Sequence, residues 1–215
     1  MLFFPAVESQ NFDLSVPFPP LYIIAIQVFV FMLSDDFWHY WSHRLLHVDF
    51  MYRNVHIIHH EYTAPFGIIG DYSHPIESIV YALNAVSGPI MYSLVASYTG
   101  AFKGAHVIAI LVWILVKTFE SIEVHTGYDF PWSPNKWIPV WTGADHHDYH
   151  HIEISNNFAS MFRHMDYIFG TDKLYREHYN KRKQLELKMH QKNQKNQKNQ
   201  KNQKIQKDQK VEKEE

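Results

Sequence analysis

Three apolar stretches decide what this chain can become: "LYIIAIQVFVFML" at 21–33, "ESIVYALNAVSGPIMYSLVASY" at 77–98 and "GAHVIAILVWILVKTF" at 104–119. A bilayer core offers the backbone no water, so a segment that enters it must satisfy its own N–H and C=O groups, and a helix does so. A span needs about 20 mostly apolar residues. The middle stretch reaches that length, broken at Gly88-Pro89. The outer two reach it only with Trp, Tyr or polar ends at the interface. Three such runs predict an all-α, integral membrane protein of about three spans. The mean hydropathy of −0.31 looks soluble only because a polar tail lowers it.

Charge placement gives an orientation. If 98–104 turns on the far side, that side holds Lys103 and segment 1–20, which has Glu8 and Asp13 but no Lys or Arg. The other basic residues fall at or beyond the near-side helix ends. This positive-inside pattern makes the near side cytosolic and 1–20 a lumenal segment. The hairpin of 78–98 and 104–122 then returns the chain to its starting side. His39 through His74 and His125 through His151 therefore share one membrane face, as a histidine-rich helical cap on a membrane domain of 21–187.

The tail "QKNQKNQKNQKNQK" has a three-residue repeat that fits no helical stripe and no apolar face to bury. Residues 188–215 are expected to be a disordered low-complexity extension. Residues 1–190 carry a net −6 and residues 191–215 a net +4. A basic tail on an acidic body lacks the basic, aromatic-interleaved face of a nucleic-acid binder, so no such partner is expected. Cysteine is absent, which excludes disulfides, thiolate zinc sites and iron–sulfur clusters.

The 16 histidines carry the chemistry. In "DDFWHYWSHRLLHVD", His39, His43 and His47 recur every four residues, one stripe of a helix, with Asp36 and Tyr40 beside them. "HIIHHE" places His56, His59 and His60 in an H-x-x-H-H box, and "ADHHDYHHIE" repeats it with His147, His150 and His151. His146 and His150 could also pair at i, i+4. The register of the second box leaves His146 as the odd residue. His74 stands in "DYSHPIE" and His125 in "VHTGYDFPW". Neutral imidazole binds iron, zinc, copper or nickel. His43, His47, His56, His59, His60, His74, His125, His147, His150 and His151 are more imidazoles than one metal can hold, so two metals are implied. A structural zinc site would close at four ligands. Around them, His39, His146, Glu61, Asp129 and Asp148 are expected beside the ligands. Asp71, Glu77, Glu120, Glu123 and Asp145 are further acids placed to hold an imidazole by its second N–H. His106 is expected at a helix end or in the core.

Taken together, "HRLLH", "HIIHHEYTAPFG", "DYSHPIE", "VHTGYDFPW", "HHDYHH" and "FGTDKLY" resemble the C-4 methylsterol monooxygenase family, within the fatty acid hydroxylase and sterol desaturase superfamily. The resemblance covers about residues 15–182. It implies a non-haem di-iron, O2-dependent enzyme of the endoplasmic reticulum membrane, with its active site facing the cytosol. Such an enzyme oxidises the C-4 methyl of a 4,4-dimethyl or 4-methyl sterol stepwise to the carboxylate, with electrons from NAD(P)H through cytochrome b5. By residue, it implies His43 and His47 for the first box, His56, His59 and His60 for the second, and His147, His150 and His151 for the third. His125 matches a further ligand position. There the wider superfamily often adds a histidine where this chain offers Asp129. No catalytic residue is implied beyond the metal ligands. Family members usually carry more membrane-embedded chain before the first box. The competing readings are a sterol desaturase, a fatty acid hydroxylase, a non-catalytic metal-binding membrane protein and a zinc hydrolase.

Overall fold

The computed structural model describes residues 12–211 except Val16. Much of the expected lumenal segment, and residues 212–215, lie outside the described residues. The chain divides into two units, 1–172 and 173–215.

The first unit is helical. α1 (Leu21–Leu46) leads through a short α2 (Asp49–Asn54) into two 3-10 turns, His56–Glu61 and Gly67–Asp71. α3 (Pro75–Thr99) and α4 (Val107–Val124) follow, then a 3-10 turn at Pro134–Lys136, α5 (Ala144–Ile152) and α6 (His164–Phe169). Two short strands, β1 (Phe12–Asp13) and β2 (Ala105–His106), pair in parallel with Phe12 opposite Ala105.

The sequence explains where the long helices start and stop. α3 begins with Pro75 at its first position and His74 as its cap, whose Nδ1 accepts the Ile76 N–H at 3.2 Å. Pro at that position loses nothing, because the first N–H groups of a helix have no partner. It ends at Gly100, whose φ of +63° suits a residue without Cβ. α4 is capped in the same way by the buried His106, whose Nδ1 accepts the Ile108 N–H at 3.1 Å.

α1 and α3 are long and apolar enough to cross a membrane. Each presents an exposed apolar stripe recurring every three or four residues: Ile26, Phe29, Leu33, Phe37, Trp41 and Leu45 on α1, and Ile79, Leu83, Val86, Ile90 and Leu94 on α3. Water would oppose so continuous a stripe; lipid favours it. The third expected span does not meet the same measure. α4 is 18 residues long and carries Lys117, Glu120 and Glu123 in its second half. Its apolar first half packs in the core through Ala109 and Trp113, and its polar second half turns toward the histidines.

Gly88-Pro89 does not break α3. The helix runs through both, and they form its contact with its neighbours. A Cβ on Gly88 would stand 2.6 Å from the Phe31 Cα, so only glycine lets the two backbones approach. Pro89 has no N–H for the Ala85 carbonyl four residues back. Trp113 Nε1–H on α4 donates to that carbonyl instead, at 2.9 Å. Ser34 and Ser87 hydroxyls meet at 2.9 Å, and Asn84 Nδ2 donates to Ser42 Oγ at 2.7 Å across the same seam.

The second unit is one helix, α7 (Lys173–Val211). It includes 188–211 of the tail expected to be disordered. The repeat holds no Gly or Pro, and Lys and Gln are good helix formers.

Replacing Gly88 with Ala should force α3 away from α1 and cost about 1–3 kcal/mol by overpacking. A lower thermal midpoint of the purified protein in detergent checks it; an unchanged midpoint would refute the tight crossing.

Candidate metal centre

Nine histidines converge in two groups whose ring nitrogens lie within 4.8 Å of one another. His43, His47, His56, His60 and His150 form the first; His59, His125, His147 and His151 form the second. The boxes interleave. The second box sends His56 and His60 to the first group and His59 to the second. The third box does the reverse, giving His147 and His151 to the second group and His150 to the first. The groups touch: the His60 and His151 rings lie 4.6 Å apart.

The nine imidazoles come from four different supports. His43 sits on the last turns of α1, and His47 is its C-cap. His56, His59 and His60 ride the 3-10 turn that follows α2. His125 is the C-cap of α4, and the third box is α5 itself. Burial covers eight of the nine fully, with His47 partly exposed.

The hydrogen bonds show what the cluster can bind. A carbonyl only accepts, so an imidazole Nδ1 beside one must donate. His43 Nδ1 donates to Phe158 O at 2.8 Å, His150 Nδ1 to Asn156 O at 2.6 Å, and His125 Nδ1 to Ser121 O at 2.7 Å. His56 Nδ1 lies 2.8 Å from Glu77 Oε1, with both side chains wholly buried. A neutral imidazole has one N–H, so the Nε2 of each of these rings carries a lone pair. Yet His43 and His56 face each other Nε2 to Nε2 at 3.1 Å, and His150 and His60 do so at 3.2 Å. In the second group, His125 and His147 Nε2 lie 2.8 Å apart, and His147 and His151 3.2 Å apart. Lone pairs aimed at one point repel unless a cation occupies it. Metal–nitrogen bonds of about 2.0–2.1 Å would separate neighbouring ligand nitrogens by roughly 3 Å, which matches. The donor set fits two metal ions.

Burial reinforces this. It pushes the His59 imidazole down to about 4 and that of His151 down to about 3, and holds His56, His60, His147 and His150 well below their ordinary value. Neighbouring imidazoles add to that effect on His56, His60, His147 and His150. The rings are neutral, the form that binds metal.

The other expected site residues lie as follows. His74, expected as a ligand, is in neither group; its Nδ1 caps α3. His39 stacks on Tyr81 with ring centroids 4.7 Å apart and meets the His43 ring edge-on. His146 is fully buried on α5, its Nε2 3.5 Å from Asp166 Oδ2. Burial lowers its imidazole to about 3. Asp148 is half-buried, and burial raises its carboxyl to about 6. Glu61 is exposed and accepts from the Tyr72 hydroxyl at 2.7 Å. Asp129 is also exposed and pairs with Lys136, which places it at the surface rather than beside a ligand.

Of the acids expected to hold imidazoles, Glu77 does so. Glu120 instead joins a buried ion group: Lys117 Nζ lies 3.0 Å from Asp35, 3.1 Å from Glu120 and 3.0 Å from Ser160 Oγ. Sequence reasoning missed Lys117, Tyr81 and the three backbone carbonyls. A carbonyl leaves no trace in the residue code. Lys117, a lone cation ten residues into an apolar helix, was the available signal.

A cavity of about 310 Å³ opens beside both groups. His43 of the first group and His59, His125 and His147 of the second line it, with His39, Tyr81 and Lys117 on the remaining wall.

The fold and site define a helical protein with two helices long and apolar enough to cross a membrane, built around two adjacent all-histidine groups able to hold metal ions. The chain belongs to the fatty acid hydroxylase family, whose model matches residues 28–171. It is 41% identical over 176 residues to the C-4 methylsterol oxidase of Schizosaccharomyces pombe, covering 82% of this chain and 57% of that protein. A methylsterol monooxygenase of Aspergillus fumigatus is 40% identical, over 80% of this chain and 56% of its own length. A very-long-chain aldehyde decarbonylase of Oryza sativa is 38% identical, over 82% and 63%. The chain thus spans less than two thirds of these relatives. No solved structure matches it.

His56→Ala should lower the metal bound per chain, measured by elemental analysis, whereas His74→Ala should leave it unchanged and cost at most about 1 kcal/mol of capping. Equal metal loss in both would refute the grouping. A second expectation concerns acid. The folded histidines bind protons only well below 6.5, whereas the unfolded chain binds them near 6.5. The contribution of these histidines to the stability of the metal-free protein is therefore full above about pH 6.5 and falls between about 6.5 and 4, by roughly 1.4 kcal/mol per pH unit for each such histidine, partly offset by the Asp148 and Asp166 carboxyls that burial raises to about 6. Unfolding midpoints of metal-free protein across that range test it, and a flat profile would contradict it.

Proposed function

We propose that this chain carries the catalytic part of an O2-dependent methylsterol monooxygenase. In this reading it oxidises the C-4 methyl of a 4,4-dimethyl or 4-methyl sterol through alcohol and aldehyde to carboxylate. The observation that carries the reading is the cavity beside both histidine groups, within a chain so similar to two methylsterol-oxidising proteins. The nine converging histidines would hold two iron ions. Bound there, iron would supply the one-electron chemistry that lets O2 attack an unactivated C–H bond.

The first oxidation balances as methyl plus O2, two electrons and two protons giving hydroxymethyl plus water. NAD(P)H through cytochrome b5 is the proposed electron source. The chain's own residues do the rest. Phe158, Asn156 and Ser121 carbonyls and the Glu77 carboxylate fix four rings with Nε2 turned inward. That preorganisation keeps the ligands from rotating as charge changes at the site. Ala82, Ala85 and Ile122 give the cavity wall an apolar part against which a sterol can lie. Closing substrate and metals away from water protects a strong oxidising step from side reactions. A rigid, apolar substrate would arrive from the bilayer, consistent with two membrane-crossing helices beside the cavity. The proposed setting is the endoplasmic reticulum membrane, with the histidines facing the cytosol and α4 completing a third span.

The similarity to an aldehyde decarbonylase supports a second reading, action on a long-chain aldehyde. Deleting the gene and profiling lipids separates the two. Accumulated 4,4-dimethylsterols support sterol oxidation. Unchanged sterols with altered hydroxy-fatty acids or long-chain aldehydes would overturn it.

A further inference from the structure

We propose that the histidine cap is sunk into the bilayer: the loop 137–140 and helix α6 lie among phospholipid acyl chains of the leaflet on the histidine side.

The depth follows from α1. Its exposed apolar stripe continues to Leu45, about 36 Å from Leu21 at 1.5 Å per residue, longer than a hydrocarbon core of about 30 Å. Asp36, buried beside the stripe, stands about 22 Å from Leu21, well inside that core. Its Oδ1 accepts the N–H groups of Met161 and Phe162 at 3.0 and 2.9 Å. The chain at 161–163 pairs in turn with 140–142: Thr142 N donates to Met161 O at 3.0 Å, and Arg163 N to Val140 O at 2.9 Å. This irregular segment is therefore fixed at the depth of Asp36.

Non-helical backbone is tolerated at such depth where its polar groups are covered. The bonds above cover them, and Arg163 Nε donates to Pro139 O at 2.8 Å. The most exposed side chains here are apolar or aromatic: Trp137, 78% exposed, with Ile138 and Val140 from the loop, and Tyr167, Ile168 and Phe169 from α6, while His164 at the start of α6 is partly exposed. Phe169 meets Trp41 of the α1 stripe with ring centroids 5.0 Å apart, so this patch continues the lipid-facing stripe. Acyl chains are the occupant that matches this depth, composition and continuity.

The chain has no cysteine, so single cysteines report single places. Ile138→Cys, Ile168→Cys and, as an exposed control, Gln191→Cys would each be labelled with an environment-sensitive fluorophore in the full chain and reconstituted in phosphatidylcholine vesicles. Metal content equal to the parent confirms a folded protein, and Val140→Cys substitutes for any variant that lacks it. Quenching by acyl-chain nitroxide lipids should be severalfold stronger at 138 and 168 than at 191, and quenching by aqueous iodide severalfold weaker. Iodide quenching equal to that at 191 would place the patch in water. Protection from both quenchers would mean protein covers it. Either result overturns the proposal.

Discussion

The mutual repulsion of buried imidazole lone pairs is the constraint on which this molecule depends. Four rings have their single proton committed outward, to three carbonyls and a carboxylate. Their inward nitrogens then have nothing to offer each other except negative potential. Without a cation, nine neutral rings in a buried space would be a source of instability. With one, each becomes a ligand, and the binding free energy becomes folding free energy. The supports therefore need to be stiff, and they are: the ends of α1 and α4, a short helix, and a 3-10 turn.

The same logic explains the buried acids. Asp36 and Asp166 work as clamps, each accepting two consecutive backbone N–H groups of the segment 158–162. That segment also provides the Phe158 carbonyl that orients His43. An acid in an apolar helix thus acts on the metal site through a backbone loop. Asp35 with Lys117 and Glu120 makes a second compensated group at the cavity wall. Losing Lys117 alone would strand two buried carboxylates, so it ties the helices as well as lining the cavity.

Much of this was legible in the sequence, for physical reasons that differ by element. The apolar runs at 21–33 and 77–98 signalled α1 and α3 because lipid demands length and composition that few soluble helices show. The repeated H-x-x-H-H spacing signalled the convergence of many neutral imidazoles, the arrangement that metal binding requires. The division of the second and third boxes between two groups was not legible. Spacing fixes angles about one axis, and the division depends on where four separate supports meet. The capping role of His74 was not legible either, because a capping imidazole and a ligating one look alike in sequence. Gly88-Pro89 read as a break because the compensating Trp113 donor lies on another helix. The repeat tail lacks an apolar stripe, and that absence says nothing about intrinsic helix propensity.

The interleaving of the boxes has a consequence for how the protein comes into being. Once a ribosome has passed residue 60, four of the five rings of the first group exist, while the second has His59 alone until residue 125. A nascent chain could therefore capture a metal at one site long before the other is complete. His150 would then close over an ion already in place. Which metal the cell supplies in that interval would be recorded in the finished protein, since an early ion buried under a later helix has no easy exit.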